Sequence, residues 1–164
     1  MLMKSKKVWI TVGTPASGKS SYIQQNALPN SIIISRDEIR KKLIGNGAYF
    51  SKEDEVFNTF KKTVYVSLLN KEIENIYIDA THISKGSRKK ILSQLPIPKG
   101  TELNVLWFDV DLDICLERNK KRGGFAFVPP ESIRRMKARF EAPTEGEFGK
   151  YGFEKVNIIK VGEN

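Results

Sequence analysis

The chain predicts an α/β fold: a three-layer sandwich in which a mostly parallel, roughly five-stranded sheet is covered by helices on both faces. Two observations carry that expectation. Short β-branched and aromatic runs alternate with segments of helical periodicity, the pattern that parallel strands and crossover helices require. The first such junction also holds a glycine-rich loop of a kind that binds phosphate. A length of 164 residues with 40% hydrophobic composition supports one core rather than two, so a single domain over 1–164 is expected.

The elements follow in order. The run VWITV at 8–12 reads as a strand that ends at Gly13, and SYIQQNAL after the loop is helix-compatible. SIIIS at 31–35 is a second buried-strand pattern, followed by RDEIRKKLI with Ile39, Leu43 and Ile44 at helical spacing. Between Lys52 and Glu74, Val56, Phe57, Phe60, Val64, Leu68 and Leu69 fall mostly three or four apart, which predicts one long amphipathic helix. NIYIDA at 75–80 is a third strand with Asp79 near its end, SKGSRKKILSQL returns to helix, and TELNVLWFDV at 101–110 is a fourth strand. DICLERNKKR predicts a further helix, broken by the glycines and prolines of GGFAFVPP. ESIRRMKARF aligns Ile133, Met136 and Phe140 on one face, 142–152 is loop-like, and VNIIKV is a fifth strand.

Composition narrows the chemistry. Twenty-eight Lys plus Arg against 19 Asp plus Glu leave a net charge of +9, which favours an anionic partner, whether nucleic acid, nucleotide or free phosphate. Cys115 is the only cysteine, so an intrachain disulfide and a Cys-rich zinc site are excluded, and its apolar setting predicts a buried, inert thiol. The apolar run after the N-terminal lysines is about five residues long, too short for a signal or membrane segment, and a cytoplasmic, non-membrane protein is expected.

Residues 13–20 read GTPASGKS, the complete GxxxxGK[ST] pattern between a predicted strand and a predicted helix. Gly13, Thr14, Pro15, Ala16, Ser17 and Gly18 would form a bend whose amides, together with the following helix N-terminus, converge on nucleotide phosphates. Lys19 adds a cation near the β- and γ-phosphates. Ser20 offers a hydroxyl to Mg2+, a hard ion that takes few protein ligands where phosphates supply the others. Ser21 completes the ATP-binding stretch.

Asp37 follows the second strand, at the sheet edge where ligands of such folds bind. It is the candidate base for an alcohol acceptor, or else only a helix-start acid favoured by the dipole. Arg40, three residues on, could bind a substrate phosphate or be a solvated charge. Asp79 could hold Mg2+ through a water or shape the acceptor site, with Thr81 beside it. The lone His82 has no partners for metal or triad chemistry and is expected to make at most a weak substrate contact. DVDLD at 109–113 does not complete an aspartyl-phosphatase pattern and reads as a helix N-cap. Arg118 and Arg122 belong to a basic run with eight Lys and Arg between Arg118 and Arg139, against Glu117 and Glu131. They would close over the transferring phosphoryl group as a lid near 118–130, hinged at Gly123 and Gly124. Tyr49, Phe50, Phe125 and Phe127 could stack on bases or belong to the core.

Together, GTPASGKS, SRDEIR, IDATH, FDV and the run LERNKKRGG…VPPESIRRMK resemble the kinase domain of the phage polynucleotide kinase family, a P-loop kinase-like fold, over most of the chain. The resemblance implies ATP-dependent phosphorylation of the 5'-hydroxyl ends of DNA or RNA. It also implies Lys19 and Ser20 on ATP phosphates and Mg2+, Asp37 as general base, Arg40 on the acceptor's phosphate, Asp79 in the active site, Arg122 as the lid arginine and Arg118 on the nucleotide. Two departures stand out: no room is expected for the family's phosphatase domain, and His82 replaces an expected amide. Two readings stay open beside it: a kinase of a small alcohol or nucleoside, and a non-catalytic ATP-dependent nucleic-acid-binding module.

Overall fold

A computed structural model describes residues 5–162, except for the side chain of Phe125, so the stacking expected of that ring lies outside the described residues. Five strands, β1 (Lys7–Val12), β2 (Ser31–Ser35), β3 (Asn75–Asp79), β4 (Glu102–Asp109) and β5 (Lys155–Gly162), form one sheet in the order β2-β3-β1-β4-β5. Every pairing is parallel, so the mostly parallel sheet expected from sequence is wholly parallel among the described residues. The helices are α1 (Lys19–Asn26), α2 (Arg36–Ile44), α3 (Glu53–Leu69), α4 (Lys85–Leu92), α5 (Leu112–Lys120) and α6 (Pro130–Ala138). None of the described helices is long and apolar enough to cross a membrane.

Alternation along the strands decides which side chains share a face. Val8 and Ile10 of β1 register with Ile76 and Ile78 of β3 and with Leu103 and Val105 of β4. That face forms the main core with Phe60, Val64 and Leu68 of α3, Ile91 and Leu92 of α4, and Phe148. The opposite face carries Thr11, Leu106 and Phe108, all buried, and α1 lies on it with the Tyr22 ring edge-on to Phe108. A smaller cluster of Ala16, Val110, Cys115, Val128 and Ile133 joins the phosphate loop to α5 and α6. Cys115 is fully buried, with Thr14 Oγ1 3.3 Å from its sulfur, as expected of an inert thiol.

Local chemistry sets the helix ends. Ser35 caps α2 by accepting from the Glu38 amide, and Asp37 and Glu38 lie in the positive first turn. Ser84 and Ser87 form a reciprocal capping box on α4, and Pro130 occupies the first turn of α6. Asp111 sits at the N-cap position of α5, but its side chain makes no capping bond. The long helix expected to continue to Glu74 stops at Leu69. There the Asn70 side chain accepts from the Glu72 amide and offers the backbone a turn in place of another helical bond. The loop-like reading of 124–126 and 145–148 needs one addition, since both contain a single 3-10 turn.

One buried ion pair ties the 145–148 turn to α4. Arg88 is fully buried and forks onto Glu147, with Nε–Oε2 2.6 Å and Nη2–Oε1 2.9 Å. Its other donors reach the carbonyls of His82 and Glu141. Removing one partner of such a pair leaves a desolvated charge behind, at a cost of about 3–5 kcal/mol. Arg88→Met is therefore expected to lower the unfolding free energy by about 3–5 kcal/mol in urea denaturation, and Arg88→Met/Glu147→Leu to recover much of that loss. A single variant within about 1 kcal/mol of wild type would show that solvent reaches the pair.

Candidate active site

The phosphate loop is built by close approach as much as by torsion. Gly18 adopts φ 98° and caps α1, as a left-handed position requires. Gly13 has no positive φ; it is needed for space, since a Cβ there would stand 2.7 Å from Ser17 Oγ and 3.0 Å from Phe108 Cβ. The second left-handed residue is Ala16 (φ 65°), which the glycine pattern did not reveal. Gly13 N–H donates to the Thr81 carbonyl at 2.9 Å, so the loop is registered on the end of β3.

That register brings Lys19, Ser20 and Asp79 together. Lys19 Nζ is buried and donates to the Thr14 carbonyl at 2.7 Å. Burial pulls its pKa down, opposed by the nearby Asp79 and Asp37 carboxylates. Asp79 is pushed up by burial, opposed by Lys19 and by hydrogen bonds from Ser20 and Thr11. Ser20 Oγ donates to Asp79 Oδ2 at 2.7 Å. The described residues hold no group of three or more His, Cys, Asp or Glu disposed for a metal. A hydroxyl beside a carboxylate is nonetheless a hard oxygen pair that fits Mg2+ when phosphates complete its shell.

Asp37 opens onto the same cavity, of about 160 Å³, as Lys19, Ser20, Asp79, Thr81 and Arg122. Its carboxylate is largely exposed, whereas Arg40 behind it is buried. Of the two readings of Arg40, a substrate-phosphate contact or a solvated charge, burial removes the second, and Arg40 lines the cavity. Glu53 takes Nε at 2.6 Å and Nη2 at 3.0 Å, filling one edge of the guanidinium, and Nη1 reaches Asp37 Oδ1 and Tyr49. Arg40 thus orients a carboxylate and is held by another. Glu53 and Arg36 also line this cavity and were not legible as site residues, because an acid in a first helical turn is ordinary.

His82 is the clearest correction. It is buried, its Nδ1–H donates to the Thr11 carbonyl at 2.8 Å, and burial pushes its pKa down to about 4. A neutral ring packed near Phe60 is a core residue and does not meet a substrate.

The two lid arginines sit differently. Arg118 Nη1 lies 3.4 Å from the Ala16 carbonyl, against the outer side of the phosphate loop, and lines a separate hollow with Ser21 and Tyr22. Arg122 donates to the Ala126 carbonyl at 3.3 Å and faces the cavity. The buried Asn119 side chain accepts from the Val128 N–H (3.0 Å) and donates to the Val128 carbonyl (2.7 Å), fixing the segment between α5 and α6, a contact that its place in the LERNKKRGG run did not reveal. Phe50 and Phe127 are 42% and 40% exposed, so neither belongs to the core.

A family model described as an AAA domain matches residues 8–143. A protein of Autographa californica nuclear polyhedrosis virus, described as a bifunctional polynucleotide kinase/RNA ligase, is 27% identical over 152 residues, 85% of this chain and 21% of its own. The chain thus spans about a fifth of that relative's length. A fungal RNA kinase superposes with a TM-score of 0.69 at 14% identity, covering all of this chain and 78% of its own. A chain of the Pnkp1/Rnl/Hen1 RNA repair complex gives 0.64 at 23%, covering 84% and 45%. A gluconokinase from Sinorhizobium meliloti gives 0.52 at 17%, covering 100% and 86%. With a family model matched over most of its length and a parallel sheet that superposes on these kinases, the chain belongs to the AAA-domain family and carries the P-loop kinase fold.

Proposed function

We propose that this domain transfers the γ-phosphate of ATP to the 5'-hydroxyl end of DNA or RNA, with Asp37 as the general base. The observation that carries the reading is the largely exposed Asp37 carboxylate across one cavity from Lys19, Ser20, Asp79 and Arg122. That arrangement suits in-line displacement: a base on the acceptor side, cations on the donor side, and no nucleophilic side chain required between them.

In this reading the loop amides and Lys19 hold the β- and γ-phosphates. Asp37 accepts the proton of the attacking hydroxyl while Arg122 neutralises charge that develops on the transferring group. Ser20 would hold Mg2+ directly and Asp79 through a water, the ion supplying further neutralisation of the phosphate oxygens. Arg118 contacts the nucleotide from the outer side of the loop.

A polynucleotide acceptor is supported by a groove of about 970 Å³ that shares Ser20, Asp37, Asp79 and Arg122 with the cavity and runs past Lys41 and Lys42. A small alcohol would need no such extension, whereas a phosphodiester chain gains from cations along its path. The relatives described as polynucleotide and RNA kinases point the same way. Fold likeness to the gluconokinase keeps a small-molecule acceptor as the alternative to test.

Labelled γ-phosphate transfer from ATP with Mg2+, offered 5'-hydroxyl oligonucleotides, 3'-nucleotides and nucleosides, tests the reading directly. Preference for the oligonucleotides is expected; transfer to nucleosides alone would establish the small-molecule kinase, and none at all would leave a binding module. Asp37→Asn is expected to cut transfer by about 10²-fold or more with ATP binding retained. Arg122→Ala should depress kcat by about 10²-fold with a smaller change in the KM for ATP; equal effects on both would reduce Arg122 to a ground-state contact.

A further inference from the structure

Tyr49 stands where the acceptor side of the cavity meets the lid cluster. Its hydroxyl donates to Asp37 Oδ1 at 3.1 Å and accepts from Arg40 Nη1 at 3.2 Å. The Arg40 guanidinium lies 4.7 Å from the centre of its ring, and the Phe50 ring meets it edge-on at 4.5 Å. Tyr49, like Leu112 and Leu116, packs against the cluster of Ala16, Val110, Cys115, Val128 and Ile133. One side chain therefore touches the candidate base, the cation behind that base, and the cluster that carries the phosphate loop's Ala16 and the lid's Val128.

We infer that Tyr49 is a positioning residue for phosphoryl transfer, orienting the Asp37 carboxylate through its hydroxyl and tying that orientation to the lid cluster through its ring. The inference rests on the proposed role of Asp37 as base. An exposed carboxylate on a first helical turn has free rotation about χ1 and χ2. Two donors converging on Oδ1, from Tyr49 and Arg40, hold that oxygen and leave Oδ2 to face the acceptor hydroxyl. Burial and the Asp37 charge push the Tyr49 phenol up to about 12, so it stays a protonated donor throughout the working range. The charged groups around Asp37 are Arg40 on α2, Lys19 on α1, Asp79 on β3, Arg122 on the lid, and Arg36 and Glu53 through Arg40.

Tyr49→Phe keeps the ring and removes the donor, and Tyr49→Leu removes both. The Asp37 carboxyl carbon, assigned by its absence in Asp37→Asn, is compared by NMR at neutral pH in wild type and Tyr49→Phe. Loss of a donor on Oδ1 is expected to move that resonance. In transfer assays Tyr49→Phe should lose about tenfold in kcat with the KM for ATP unchanged. Tyr49→Leu should also raise the KM for ATP. An unmoved resonance overturns the contact with Asp37. A moved resonance with wild-type kcat overturns the positioning role, and a Tyr49→Leu indistinguishable from Tyr49→Phe overturns the tie to the lid cluster. Absence of transfer by the wild-type protein removes the reading of Asp37 as base, and the positioning role falls with it, whatever the NMR reports.

Discussion

The site depends on keeping one buried ammonium charged at the C-terminal end of β1. Lys19 is buried beside the cavity, which lowers its pKa, and the same burial acts on Asp79 in the opposite sense. Each would tend toward its neutral form alone; facing each other, each opposes the other's desolvation. The Ser20 hydroxyl donates to Asp79 Oδ2 and holds the carboxylate in place. The resulting pocket is polarised before any phosphate enters, the condition under which electrostatic stabilisation costs no reorganisation.

Parallel pairing makes that juxtaposition possible. Strands β1, β2 and β3 all deliver their C-terminal ends to one edge, so the phosphate loop, the first turn of α2 and the end of β3 meet although they are distant in sequence. Thr11 fastens two of them, since its hydroxyl donates to the Ala80 carbonyl and accepts from the Ala80 amide. On the acceptor side, the ladder from Glu53 through Arg40 to Asp37 presents an exposed carboxylate on a buried support. Exposure suits the base proposed for Asp37, and the buried guanidinium behind it limits where the carboxylate can point. Arg122 and Val128 line the cavity from a third direction. Gly123 and Gly124 lie between them, and Asn119 of α5 holds the Val128 backbone.

Much of this was legible in the chain. Five strands, their alternation with helices and the GTPASGKS loop followed from periodicities of two and 3.6 and from glycine spacing, which report local backbone preference. The placement of Lys19, Ser20, Asp37, Asp79 and Arg122 around one cavity was expected because strand-end residues of a parallel sheet share an edge. What sequence reading left open were residues whose roles depend on a partner far along the chain. His82, expected to reach a substrate weakly at most, turns inward to the Thr11 carbonyl; Arg40, read as a phosphate contact or a solvated charge, is gripped by Glu53; and Tyr49, read as a base-stacking or core ring, bonds Asp37 through its hydroxyl.

The sequence by itself determined the elements, the phosphate loop and the edge of the sheet on which chemistry would gather, because hydrophobic period and glycine torsion are properties of neighbouring residues. Only the tertiary structure decided which charges are buried, which carboxylate stays open to an acceptor and which side chains hold it, because hydrogen bonds and desolvation are set by groups brought together through folding.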